Sequence, residues 1–356
     1  MRPLTFVVGT GRSGSTALST LLNAHPGVLS LNEFLASLRD PGHALPDRPL
    51  TGEEFWRILA APNPVFDTMT RSGIPLPEFL YTRRPGRHSA ETGGIPALCL
   101  MVLPHLTDDP DAALDALAAE VTSWPAGTAP AHHQALFDLL ARRYGGAAVV
   151  ERSGYSVSWI PALHRAFPHA RFVHLHRHGP DCALSMSRHV GYRTILLLRD
   201  LRERAGVATF ADLTPRHVAE LPPDLAALLA DRFDPALVLD RDIPLARFGA
   251  LWSRIVTDGS AHLNALPADQ WATLAYEDLL DHPRRELTAL ARFLGAEPTR
   301  DWLDHAAARL SPAHRGAAAR LPSEERRALE RACAPGAAAL TAAHRPLTPW
   351  PTDRTG

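Results

Sequence analysis

An α/β fold with a central parallel sheet covered on both faces is what this sequence predicts. Short, nearly continuous apolar strands alternate with amphipathic helices. The first strand runs into a glycine-rich turn, Gly9-Thr10-Gly11-Arg12-Ser13-Gly14-Ser15-Thr16, and a helix leaves that turn. A proline-rich stretch then separates the second strand from the third. These observations predict a P-loop-like three-layer sandwich with a helical lid insertion, residues 1–356 forming a single domain.

The elements follow in chain order. Leu4–Val8 is the first strand, and the helix begins near Ser13–Ser15 and ends near Asn23. His25-Pro26-Gly27 makes a turn into a second apolar run, Val28–Leu31, which closes on Asn32-Glu33-Phe34. The inserted region runs over 35–147: to about Pro130 prolines interrupt any long element, leaving short helices such as 53–60 and 111–121, and a regular helix follows at 132–144. This region is the inserted acceptor-binding or lid region, because irregular connections are where specificity resides. Strand 147–150, helix 157–167, strand 171–175 and a proline-initiated helix 180–189 restore the alternation. A long helix from Asp242-Ile243-Pro244 to about Leu266, strand 271–275 and helix 283–294, ended by Gly295, complete it. Residues 297–356 form a tail that is helical over its alanine-rich part, 316–345.

Composition narrows the function. Net charge is −1 and 46% of residues are hydrophobic, so no basic field points to nucleic acid or an anionic membrane. All 37 basic side chains are arginine, so every cationic contact to a ligand is Arg or protonated His. Cys99, Cys182 and Cys333 are too few and too scattered for a disulfide framework or a zinc ligand set. No secretory pattern is read near the first strand, and no apolar run approaches the roughly 18 residues of a membrane span. The expected location is cytoplasmic.

The loop at 9–16 matches the Walker A spacing except that Ser15 stands in the lysine position. Backbone N–H groups at the following helix N-terminus point at one anionic group, and Arg12 can fork two donors onto it. Any strand–turn–helix needs glycines and cap residues, so the loop alone is not decisive. A second element adds to it. Arg177 ends a strand, and Ser185 lies eight residues on, inside the next helix. An arginine at a parallel strand's C-terminal end faces the crevice where open sheets bind ligands. A nucleotide with two separated anionic groups fits two such sites.

On these motifs the sequence resembles the sulfotransferases that use 3′-phosphoadenosine 5′-phosphosulfate (PAPS). Gly11-Arg12-Ser13-Gly14-Ser15-Thr16 looks like their 5′-phosphosulfate loop, and Arg177 to Ser185 like their 3′-phosphate motif. Tyr276-Glu277-Asp278-Leu279 is similar to their segment near the adenine. Leu21-Leu22-Asn23-Ala24-His25-Pro26-Gly27-Val28, ending at Glu33, resembles the tyrosylprotein and related bacterial branch. The resemblance implies Glu33 as catalytic base, Arg12 on the transferring sulfonate and Arg152 as further positive charge, where relatives often carry lysine. Arg315, in His314-Arg315-Gly316, faintly echoes the late 3′-phosphate segment. His105 is the fallback base.

The implied reaction is in-line sulfuryl transfer from PAPS, without a metal, to a small-molecule or peptide hydroxyl; a homodimer is compatible. His174, His176 and His178 alternate along one strand, and beside Arg177 one or two of them read as buried, hydrogen-bonded histidines rather than metal ligands. Two rivals stay open. One is a P-loop kinase, which needs a magnesium-binding acid at a strand end, with Glu33 and Glu151 as candidates. The other is a nucleotide-binding regulatory protein without turnover.

Overall fold

The computed structural model describes residues 2–313 and 315–350. Five strands, β1 (Leu4–Gly9), β2 (Val28–Asn32), β3 (Ala148–Arg152), β4 (Arg171–His176) and β5 (Trp271–Ala275), form one sheet in the order β2-β3-β1-β4-β5. Every pairing is parallel. Each predicted strand is present, within two residues of its expected ends. All five are buried along nearly their whole length, which is why they read as apolar runs rather than alternations.

Helices cover both faces. On one, Leu18, Leu21 and Leu22 of α1 (Ser15–Asn23) pack with residues from the C-terminal part of the chain, including Leu290, Phe293 and Trp302. On the other lie the insertion and most later helices. The insertion contributes α2 (Phe34–Ser37), α3 (Gly52–Ala60), α4 (Pro110–Val121) and α5 (Ala129–Tyr144). Thr51 opens α3 with a capping box, and Asp109 and Thr128 cap α4 and α5, so helix starts survive amid the prolines. Phe34, Phe55 and Phe137 join the same core as Phe6 and Phe172 of the sheet, so the insertion has no separate core.

Two expectations need correction, and one histidine stands apart. The helix expected over 157–167 is a 3-10 turn, Val157–Trp159, followed by α6 (Ile160–Ala166), with a proline in the first turn of α6. The helix expected over 180–189 is α7 (Gly179–Ser187), and an unforeseen α8 (Val190–Ala205) follows it immediately. His174 is buried but neither ring nitrogen has a hydrogen-bond partner; burial, then neighbouring His176, pushes its pKa down to about 3. It is a neutral, buried side chain of β4.

Beyond these, α9 (Leu245–Asn264) spans the sheet's second face, and α10 (Tyr276–Asp281) and α11 (Pro283–Phe293) follow β5. The tail divides. Trp302 of α12 (Arg300–Arg309) sits in the first-face core, whereas α13 (Ser323–Ala342) packs on α9, the Gly336 N–H donating to Ser253 Oγ at 2.6 Å. No helix among the described residues is long and apolar enough to cross a membrane.

Candidate active site

Register puts the candidate residues on one edge. Arg152 pairs with Val7 on β1 and with Asn32 on β2, and β4 ends at His176, one residue before Arg177. In a parallel sheet all C-terminal strand ends face the same way, so the loops after β1, β2, β3 and β4 meet.

The loop after β1 is shaped by glycine and by its neighbours. Gly11 and Gly14 have positive φ (71° and 88°). A Cβ on Gly14 would sit 2.1 Å from Tyr276 Cδ2, so the Tyr276 ring lies directly on the loop. On the other side the Tyr192 hydroxyl donates to the Thr10 carbonyl, and a Cβ on Gly11 would collide with that hydroxyl. Cys182 Sγ lies 3.4 Å from the Gly11 carbonyl. The loop is thus clamped by α8, α7 and the start of α10. Two features suit it to an anion. No side chain caps the first turn of α1, and Ser13 Oγ is buried without any hydrogen-bond partner.

Arg12 joins the two anion elements: its Nε donates to Ser185 Oγ at 3.2 Å. Arg177 is buried at the mouth of α7, its guanidinium 5.5 Å from the centre of the Tyr276 ring. Arg12, Ser13, Gly14, Arg177, Ser185 and Tyr276 are therefore brought together, with Ser15 and Thr16 opening α1 beneath them.

Arg315 behaves differently. Its backbone neighbours are anchored here, Gly316 and Ala318 N–H both donating to Asp181 at 2.8 Å. Its exposed guanidinium instead grips Asp281 through both terminal nitrogens. To meet a nucleotide it must leave that partner. His314 lies outside the described residues.

Glu33 and Arg152 form a buried ion pair, Arg152 Nη1 donating to Glu33 Oε1. The Gly154 N–H donates to Glu33 Oε2 at 3.0 Å, and Arg152 also reaches Ser19 Oγ at 2.6 Å and Asn32 Oδ1 at 3.4 Å. Arg152 is thus committed to Glu33, α1 and β2, and its first effect is to fix the carboxylate. Arg152 in turn acts on His105. That ring is crowded by protein yet still reaches solvent, and burial with the Arg152 charge lowers its pKa to about 4.

Glu151 is accounted for otherwise. It is fully buried, accepting from the Leu35 N–H at 3.1 Å and the Ser153 hydroxyl at 2.5 Å, and burial pushes its pKa up to about 8. It anchors the start of α2 and is not turned outward as a magnesium ligand would be.

Three further residues at the site carry no signal in the sequence. Tyr192 lies on the unforeseen α8. Tyr155 is left-handed (φ 58°), as are Arg12 and Glu33 (both 56°), and these are the only such non-glycine residues among those described. Glu78, from the insertion, pairs with His189 at 3.2 Å; burial raises its pKa, but His189 and the field of Arg12 outweigh this and leave it below the usual value.

The sequence model of the sulfotransferase family matches residues 98–233. Over that stretch the chain is similar to the sulfotransferase family. The matched stretch carries Arg152, Arg177 and Ser185, as well as α8, and it begins within the insertion; the loop at 9–16 lies outside it. A sulfotransferase domain from the curacin biosynthetic pathway is 15% identical, with a TM-score of 0.46, over 93% of this chain and 97% of that one. A sulfotransferase from Alicyclobacillus acidocaldarius is 16% identical, with a TM-score of 0.40, over 96% and 95%. Among curated proteins no match is found.

Proposed function

We propose that this chain moves a sulfuryl group from PAPS to a hydroxyl of a small molecule or peptide. The observation that carries the reading is the meeting of two anion-binding elements at Arg12 and Ser185, under a loop walled by Tyr276. In this reading the α1 N-terminus, Ser13 and Arg12 hold the phosphosulfate end. Arg177 and Ser185 hold the 3′-phosphate, and Tyr276 lies against the nucleoside. The acceptor oxygen attacks sulfur while the sulfur–oxygen bond to the 5′-phosphate breaks, releasing adenosine 3′,5′-bisphosphate. The acceptor proton passes to Glu33, which Arg152 and the Gly154 N–H orient. Arg12 neutralises charge on the leaving phosphate as it grows, a contribution worth most in a site shielded from water. The three free, buried cysteines fit a reducing, cytoplasmic setting.

Binding tests it. Adenosine 3′,5′-bisphosphate should bind more tightly than 5′-AMP by roughly 10–100-fold, the worth of a charge-assisted contact. Arg177→Ala should erase that margin. Equal binding of the two nucleotides by the unmutated chain would overturn the assignment, and a preference for ATP with magnesium would favour the kinase alternative.

A further inference from the structure

A cleft of about 620 Å³ opens beside the site, and sequence reading did not foresee it. It starts one residue beyond Gly154, at Tyr155, and runs between α8 and α9. Its volume lies within the range of small-molecule sites. The geometry ties it to the reaction centre at two points. Gly154 donates its N–H to Glu33, and the Ser156 N–H reaches the Gly9 carbonyl at 3.2 Å, so the segment that lines the cleft is bonded to the base and to the phosphate loop. Helix α8 carries the second link. Tyr192, which clamps Thr10, is followed at helical spacing by Ile195, Arg199 and Arg202, all three of them on the cleft wall.

The lining has two characters. Val157, Ile195, Leu198 and Ile255 make an apolar floor, with Tyr155 and Phe210 as aromatic walls. Four arginines, 39, 199, 202 and 254, stand against two aspartates, 40 and 258. Asp40 is partly occupied, accepting the His43 N–H at 3.0 Å. Arg39 and Arg254 form no ion pair among the described residues, and Arg199 has only the largely exposed Glu203 at 3.7 Å. Arg202 lies over the Phe210 ring at 5.7 Å. Seven residues of helix rise separate Tyr192 from Arg199, on the order of 10 Å. A cleft with an apolar floor and a surplus of guanidinium groups roughly that far from the phosphate loop selects by length as well as by charge.

We propose that the acceptor is an elongated amphipathic molecule, with its hydroxyl presented at Glu33 and a carboxylate or phosphate held by Arg199 and Arg254. This rests on the sulfotransferase reading for the reaction at the hydroxyl end. It shifts acceptor choice from the bulk of the insertion to α8, α9 and the loop after β3, the insertion supplying only Arg39 and Asp40. Binding of the anionic end itself does not depend on the nucleotide.

Calorimetric titration of the full chain with ω-hydroxydecanoate and its methyl ester, with and without adenosine 3′,5′-bisphosphate, tests it. The acid should bind about tenfold more tightly than the ester, and high salt should shrink that margin, since the arginines are partly exposed. The paired substitution Arg199→Gln and Arg254→Gln should remove the margin while leaving the affinities of ester and nucleotide unchanged, which also shows that the variant is folded. Equal binding of acid and ester, or no binding of either while the nucleotide binds, would overturn the proposal. Absence of nucleotide binding with the acid preference intact would instead overturn the sulfotransferase reading and leave the anion-binding cleft standing.

Discussion

Replacing Glu33 by glutamine separates a catalytic carboxylate from a structural one. Both carboxylate oxygens are engaged, one by Arg152 and the other by the Gly154 N–H. Glutamine offers one acceptor oxygen where the site supplies two donors, so its amide NH₂ must face either Arg152 or the Gly154 N–H. Leaving one buried donor unsatisfied costs about 1–3 kcal/mol, and losing the buried charge pair can raise that to about 3–5 kcal/mol. Denaturant unfolding should therefore show a destabilisation on the order of 3 kcal/mol, which a domain of this size can survive. Turnover is a separate quantity. An amide cannot take the acceptor's proton, so kcat should fall roughly 10²–10⁴-fold. The KM for PAPS and the affinity for adenosine 3′,5′-bisphosphate should stay put, because among the described residues the Glu33 carboxylate is bonded to Arg152 and Gly154 and not to the 9–16 loop. The assay is release of adenosine 3′,5′-bisphosphate at saturating PAPS, run below the variant's unfolding temperature. Normal turnover by the folded variant would refute the reasoning and pass the role to His105. Loss of nucleotide affinity in step with kcat would make Glu33 a scaffold for the loops.

Other perturbations address other links. Gly14→Ala places a methyl group within 2.1 Å of the Tyr276 ring at a φ of 88°, and nucleotide affinity should fall at least tenfold by calorimetry; an unchanged affinity would mean that the ring does not wall the loop. Arg12→Ala should slow turnover by roughly two decades, and EDTA should leave the unmutated enzyme active; an obligatory magnesium requirement would contradict this. Asp181 has its pKa lowered to about 2: burial alone would raise it, but His178 and the Ala318 and Gly316 N–H groups prevail. A depressed carboxylate stabilises above its unfolded pKa, and that stability drains away as pH falls through the folded value. Asp181→Asn should thus cost about 2 kcal/mol at neutral pH by urea unfolding, a gap that closes as pH drops below about 4. A gap that does not change with pH would show that Asp181 acts by shape alone.

What was legible in the sequence had local causes. Glycines at the turn after β1, the apolar runs of buried strands and the caps of α3, α4 and α5 each act within a few residues. Helix α8 escaped notice because His189-Val190-Gly191-Tyr192 opens it without serine, threonine or aspartate. The His189 side chain itself receives the Gly191 N–H, at 3.2 Å. Its middle, Ile195-Leu196-Leu197-Leu198, is an unbroken apolar run in which helical periodicity is hidden. The pairing of Arg152 with Glu33 escaped for a different reason. They are 119 residues apart, and only the order β2-β3 brings their strand ends together. The same holds for Glu78, which the insertion carries to His189 and the field of Arg12.

The left-handed residues point to the same edge without reference to any motif. Arg12, Glu33 and Tyr155 each stand within three residues of the end of β1, β2 or β3, the three neighbouring strands on one side of the sheet. Each conformation costs on the order of 1 kcal/mol that a glycine would avoid, and glycines are plentiful in these loops. A left-handed residue turns the chain sharply, so the loop bends back close to the end of its strand. The surroundings hold the first two reversals in place. The Glu33 N–H is bonded to the Arg152 carbonyl at 2.8 Å, and its own carbonyl takes both the N–H and the hydroxyl of Ser37. Beside Arg12, Tyr192 and Cys182 grip Thr10 and Gly11. In the reading proposed above, the three strained positions divide the work: Arg12 meets the donor's charge, Glu33 meets the acceptor's proton, and Tyr155 begins the cleft along which the acceptor lies.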